Sequence, residues 1–173
     1  MIGKPKKSLG QNYLIDHSIL KIISAAGNVN AENDILEIGP GTGNLTRYLC
    51  NLNYNNFMAI EKDNNLFKKL VGEFKQINII NEDFLNIELK NISLKNLIIF
   101  GNLPYNISSQ ILIKLISEYS ENFKFKKLIL MFQKEVADRI LAKHNSNEYS
   151  RISIISQWKM NVSKLTDVSS KSF

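Results

Sequence analysis

Five short apolar runs, four of them followed by a stretch with helical spacing, constrain this chain more than any other feature of its sequence. The runs fall at 34–38 (DILEI), 57–61 (FMAIE), 77–80 (INII), 97–100 (LIIF) and 128–132 (LILMF). All are far shorter than the ~18 apolar residues that a membrane-spanning helix requires. Between and around them, residues 17–26, 43–52, 64–74, 107–119 and 134–143 repeat their apolar positions with the period of a helix. Asp16 or Ser18 offers the first of these an N-cap. Residues 151–160 fit a helix better than a strand, and a short strand is expected near 161–167. Strands alternating with helices build βαβ units, so the expected fold is α/β, a mostly parallel sheet with helices on both faces. Ligands on such sheets bind beyond the carboxyl ends of the strands, where the winding direction switches. Polar residues at those ends are therefore the candidates for chemistry.

The 173 residues suit one domain, and 44% hydrophobic content suffices for a packed core. The single cysteine, Cys50, excludes a disulfide framework or a cysteine-built zinc site, and His17 and His144 lack ligand spacing, so no metal is expected. The basic N-terminus has no apolar segment of the kind a secretion signal needs. These features point to a reducing, cytoplasmic setting with no membrane association. The net charge of +6 is concentrated in two places. Lys4, Lys6 and Lys7 form one; the segment 121–145, with Lys134 and Arg139, forms the other. Such concentration suits a polyanion-binding face.

The first run passes into Glu37-Ile38-Gly39-Pro40-Gly41-Thr42-Gly43. Glycines at alternate positions let backbone turn sharply and approach a ligand without a Cβ in the way. The third glycine comes one residue too early for the dinucleotide fingerprint, and the lysine and hydroxyl of a P-loop are missing. The form resembles the loop that S-adenosylmethionine-dependent methyltransferases pass along the amino-acid part of their cofactor, with Gly39 and Gly41 as the contacts. Glu61, at the end of the second run, offers two oxygens in one plane to the two hydroxyls of a ribose. Asp83, in Glu82-Asp83-Phe84 after the third run, can accept from an adenine amino group while apolar neighbours pack on the ring.

The fourth run ends in Gly101-Asn102-Leu103-Pro104-Tyr105, which resembles the Asn/Asp-Pro-Pro-aromatic motif of amino-methylating enzymes. The exocyclic amine of adenine is a poor nucleophile because its lone pair is delocalised into the ring. Acceptors aimed at its two hydrogens favour the tetrahedral, positively charged geometry needed for attack. The Asn102 side-chain oxygen and the Leu103 carbonyl are the candidates. Pro104 biases Leu103 away from helical geometry, and Tyr105 can stack on a flipped-out base.

Together these stretches resemble the small-subunit (16S-type) ribosomal RNA adenine dimethyltransferases. The likeness runs through LGQNYLID at 9–16, ILEIGPGTGNLT at 35–46, AIEKD at 59–63, NEDFL at 81–85, FGNLPYNIS at 100–108 and MFQKEVADRI at 131–140. It implies a class I, Rossmann-like methyltransferase fold using S-adenosylmethionine. The implied reaction puts two methyl groups on each of two adjacent adenines of a small-subunit RNA hairpin, presented on an assembling 30S-type particle to a monomeric enzyme. The resemblance adds Asn12 and Leu14 as cofactor contacts from the N-terminal arm, and gives Asn102 a cofactor-side contact as well. It also places the second basic cluster, Lys134 and Arg139 included, on an RNA-facing rim.

Leu9 stands where the family usually has Phe, and Ser150 replaces the glycine of its Tyr-Gly-Arg. The family's sequence continues past the position of Phe173 into a last sheet strand and a small helical domain. The expected organisation is thus a catalytic domain over 1–173, with a basic, cofactor-covering arm at 1–16 and an α/β core at 17–173. A sheet lacking that strand should show an exposed edge. Two other readings stand beside this one. One is a large-subunit rRNA adenine methyltransferase of the antibiotic-resistance type, which shares the glycine loop and a similar Asn-x-Pro-aromatic motif. The other is a ribosome-assembly or RNA-binding factor with little activity.

Overall fold

The computed structural model describes residues 12–173. Five strands, β1 (Ile35–Ile38), β2 (Phe57–Ile60), β3 (Asn78–Ile80), β4 (Leu97–Asn102) and β5 (Phe125–Met131), form one sheet in the order β3-β2-β1-β4-β5. Every pairing is parallel. Six helices accompany them: α1 (His17–Ala26), α2 (Asn44–Leu49), α3 (Asn64–Glu73), α4 (Ser108–Ser117), α5 (Lys134–Leu141) and α6 (Arg151–Lys159). Side-chain alternation divides the core between the two faces of the sheet. Leu36, Ile38, Leu97 and Ile99 pack with Ile111 and Leu115 of α4. Ile35, Phe57, Ile98 and Phe100 pack on the opposite face with Leu20 of α1 and Leu49 of α2. Burial on both faces explains why the central strands read as continuous apolar runs.

The helix starts follow local chemistry. Asp16 is the N-cap of α1, its Oδ1 accepting from the amides of Ser18 (2.9 Å) and Ile19 (3.3 Å). Asp63 does the same for α3 through the amides of Asn65 and Leu66. Helix α2 begins after Gly43, which has φ +81°. A Cβ there would lie 2.7 Å from the Phe74 ring. Left-handed backbone strain and overpacking together should make Gly43→Ala destabilising by about 2–4 kcal/mol in urea unfolding.

The structure corrects the expected strand near 161–167. That segment carries no strand, and β5 is the edge of the sheet among the described residues. A strand needs a ladder partner, and a groove of about 1570 Å³, lined by β5 on one side and by Asn161–Val168 on the other, separates the two. Strand β5 also begins earlier than its apolar run indicates. Lys126 and Lys127 belong to it although both are exposed, as suits an edge strand.

Winding reverses at β1, whose neighbours are β2 and β4. The loops after β1, β2, β3 and β4 consequently gather at one end of the sheet.

Candidate functional site

A cavity of about 190 Å³ opens at this switch point. Gly39, Gly41 and Gly43 all have positive φ, at +68°, +60° and +81°. The Gly39 amide donates to the carbonyl of Ile60 (2.9 Å), and the Gly41 amide to Glu61 Oε2 (2.9 Å). Glu61 Oε1 accepts from the Asp63 amide (2.7 Å). One buried carboxylate thus holds the glycine loop against the end of β2, and each oxygen keeps a further lone pair for a ligand hydroxyl. Burial pushes the Glu61 carboxyl above its ordinary range, against the pull of the amides of Asp63 and Gly41. The ring of Tyr13 lies over Gly41, where an added Cβ would come within 3.2 Å of it.

Asp83 closes the cavity on the β3 side. Its Oδ1 accepts from the Leu85 amide (3.0 Å), capping a 3₁₀ turn at Phe84–Asn86, and its Oδ2 pairs with Lys62 Nζ at 2.7 Å. Partial burial opposes ionisation, but the Lys62 hydrogen bond and charge and the Leu85 amide outweigh it and hold the carboxyl below its usual range.

Asn102 ends β4 and lines both this cavity and the larger groove beside β5. Its Nδ2 donates to the Asn12 carbonyl at 2.9 Å. Only the amide nitrogen can donate to a carbonyl, so the bond fixes which end of the side chain is which. Oδ1 accepts no hydrogen bond among the described residues, nor does the Leu103 carbonyl. The Leu103 side chain is packed in the core. Pro104 accepts from the Ile107 amide and Tyr105 from the Ser108 hydroxyl, which leads the loop into α4. Tyr105 lines the groove, and burial raises its phenol.

Asn12, Leu14, Gly39, Gly41, Glu61, Asp83, Asn102 and Pro104 therefore meet around one cavity. Asn44 Nδ2 holds the Leu14 carbonyl at 2.8 Å, tying the arm to α2. The cations of the basic cluster are exposed, and some of them carry partners. Lys134 lines the groove but pairs with Asp138 at 2.7 Å, and Arg139 Nε reaches the Ser150 hydroxyl at 3.4 Å. Lys4, Lys6 and Lys7 lie outside the described residues.

Tyr13 and Glu37 are among the lining residues that escaped the sequence reading. Tyr13 sits inside a stretch with no local signal. Glu37 had one, as a charge within an apolar strand. It is 1% exposed, lines the cavity, and its Oε2 has no hydrogen-bond partner. Burial pushes its carboxyl up to about 8, the Glu61 charge adding to the push; the Thr46 hydroxyl pulls the other way without a hydrogen bond of its own. A neutral carboxyl there can donate to a ligand, or ionise to receive a cationic one. Among the described residues no group of three or more His, Cys, Asp or Glu could hold a metal ion.

Residues 2–173 match the family model described as ribosomal RNA adenine dimethylase. The chain belongs to that family. Members it resembles include the ribosomal RNA small subunit methyltransferase A of Pelagibacter ubique, 49% identical over all of this chain and 66% of the relative. The protein of the same name from the Wolbachia of Culex pipiens is 41% identical, over 98% of this chain and 65% of the relative. The chain thus spans just under two thirds of the length of these curated relatives. Among solved structures, a dimethyladenosine transferase from Plasmodium falciparum matches with a TM-score of 0.80 and 32% identity, covering 94% of this chain and 58% of that one. The 23S rRNA methyltransferase ErmE matches less well, with a TM-score of 0.64 and 26% identity over 84% of this chain and 55% of its own. The doubly wound sheet of this dimethylase-family chain is accordingly the Rossmann-like methyltransferase fold.

Proposed function

We propose that the chain is the catalytic domain of an S-adenosylmethionine-dependent dimethyltransferase acting on two adjacent adenines in a small-subunit rRNA hairpin. The observation that carries this reading is the position of Asn102, on the wall between the glycine-loop cavity and an open groove.

The residues fit the methyl donor. The glycine loop leaves room where Cβ atoms would intrude, Glu61 offers lone pairs to ribose hydroxyls, and Asp83 faces the cavity as an acceptor for an adenine amine. The unpartnered Glu37 oxygen adds an unused polar atom at the loop's end. The arm at 12–14 covers one side. When bound, the donor supplies an electrophilic methyl group on a sulfonium.

The chain's own part in the chemistry is positioning and electrostatics. Asn102 Oδ1 and the Leu103 carbonyl accept from the target amine as positive charge builds on it. The Asn12 carbonyl holds Asn102 so that oxygen, not nitrogen, is presented. Tyr105, at the groove side, stacks on the base. The proton released from the amine needs no strong base in the site. The arm at 1–16 and the rim carrying Lys134 and Arg139 meet the RNA backbone by charge. The setting is an assembling 30S-type particle in the cytoplasm, with the chain acting as a monomer.

The stronger likeness to the dimethyladenosine transferase than to ErmE supports the small subunit over the large. Incubation with isotopically labelled donor and separately purified immature subunits, followed by mass spectrometry of the RNA, tests the reading. Dimethyladenosine at two neighbouring positions of the small-subunit RNA is expected. Modification of large-subunit RNA, or particle binding without transfer, would overturn it.

A further inference from the structure

The ends of β2 and β3 are joined above the cavity by more than the sheet ladder. Asn81 Nδ2 donates to the carbonyls of Glu61 (2.8 Å) and Lys62 (3.3 Å). Lys62 Nζ then crosses to Asp83 Oδ2 at 2.7 Å. Among the described residues lining the cavity, Lys62 is the one lysine or arginine, against the carboxyls of Glu37, Glu61, Asp63, Glu82 and Asp83. Its side chain is 58% exposed and that of Asp83 18%.

We propose that Lys62 is a positioning residue for the donor's adenine: by strapping β2 to β3 it holds Asp83 in place, as a charged acceptor, beneath the cavity rim. This rests on the donor reading above and adds to it a residue that contributes through Asp83. An ion pair whose lysine end is exposed adds only about 1 kcal/mol to folding, and Asp83 keeps the Leu85 amide, so its loss leaves the fold intact. Its effect on Asp83 is local and larger. Asp83 Oδ1 is committed to the Leu85 amide, so Oδ2 is the oxygen nearest to free service, and Lys62 fixes where it points. The other charged groups around Asp83 are all acidic. Glu82 is its neighbour and accepts from its amide at 3.0 Å, while Glu61 and Asp63 stand at the end of β2. The facing residues of the loop after β4 and of α4, Asn106, Ile107 and Ile111, carry no charge. Without Lys62 the Leu85 amide is the one hydrogen bond left to counter the effect of burial, so Asp83 takes up a proton at higher pH. A protonated Asp83 is a poorer acceptor for an amine.

The test is calorimetric titration of S-adenosylhomocysteine, the thioether product, into the wild type, Lys62→Met and Lys62→Arg. Lys62→Met should bind about five- to tenfold more weakly near neutral pH, the weight of one charge-assisted hydrogen bond. Its affinity should also begin to fall at higher pH than the wild type's as the solution is acidified. Lys62→Arg should restore both affinity and acid limb, and all three proteins should unfold at the same temperature. A Lys62→Met protein with the wild-type affinity and acid limb would sink this inference while leaving the donor reading untouched, as would an arginine variant that restores neither. A wild type that does not bind the thioether at all would overturn the donor reading itself.

Discussion

Replacing Asn102 with alanine should abolish detectable dimethylation while leaving donor affinity within severalfold of the wild type. Loss of one preorganised group aimed at developing charge typically costs about 10²–10³ in rate. In the proposed reaction the methyl is transferred four times per RNA for full product, so the deficit compounds. The donor contacts argued for the glycine loop, Glu61 and Asp83 do not pass through Asn102, and Asn44 still holds the arm at the Leu14 carbonyl. Asn102→Asp separates the two jobs of the side chain. A carboxylate keeps an acceptor for the target amine but opposes the Asn12 carbonyl instead of donating to it. That variant should regain part of the transfer rate and lose donor affinity. Single-turnover transfer to immature small subunits and calorimetry with S-adenosylhomocysteine measure the two quantities independently. Dimethylation by Asn102→Ala at the wild-type rate would remove Asn102 from the chemistry.

The second large effect concerns stability. The Glu37 carboxyl is pushed up to about 8 in the folded chain, mainly by burial, from an ordinary value of 4.5. The folded state therefore holds a proton that the unfolded state gives up more readily. The associated stability is complete below the unfolded value and is lost as pH rises through the folded one. Within that window unfolding free energy should fall by roughly 1.4 kcal/mol per pH unit, several kcal/mol in all. Glu37→Gln keeps the shape and cannot ionise, so most of the slope should vanish and the variant should exceed the wild type in stability at alkaline pH. Glu61, raised in the same direction, leaves a residual slope. Asp83 and Glu118, held low by lysines, act only at more acid pH. Urea unfolding at about pH 5.5, 7 and 8.5 brackets the effect. An equal slope in both proteins would show that Glu37 is ionised when buried.

What the sequence made legible was local. Helix α1 runs over the residues its apolar spacing marks, and Asp16 caps it because a short carboxylate reaches amides two and three positions ahead. The central strands stood out because burial on both faces leaves no polar alternation. The edge strand stood out only from Leu128 onward, because exposed Lys126 and Lys127 interrupt its apolar run. Tertiary matches left no trace in the string. Nothing at Asn12 announces that its carbonyl meets an amide 90 residues later. The Lys62–Asp83 pair joins two loops that the sequence reading treated separately. Charge counting located the cations but not their partners: Lys134 pairs with Asp138, and Lys127 Nζ is turned to the Ala26 carbonyl. Glu37 was in plain view as a carboxylate in an apolar strand, and its meaning depended on a burial that only the folded chain reveals.

The arm's second mooring has a consequence for the order of events in the cell. The amides of Ile15 and Asp16 both donate to the Ser172 carbonyl, at 2.8 and 3.2 Å, and the Ser172 hydroxyl donates to Asp16 Oδ2 at 3.0 Å. Residues 12–16 leave the translating ribosome well before the residue that clamps them. A nascent chain therefore waits through 156 further residues of elongation before that clamp can close. Until then the arm lacks this mooring, and it gains it only once Ser172 has been synthesised.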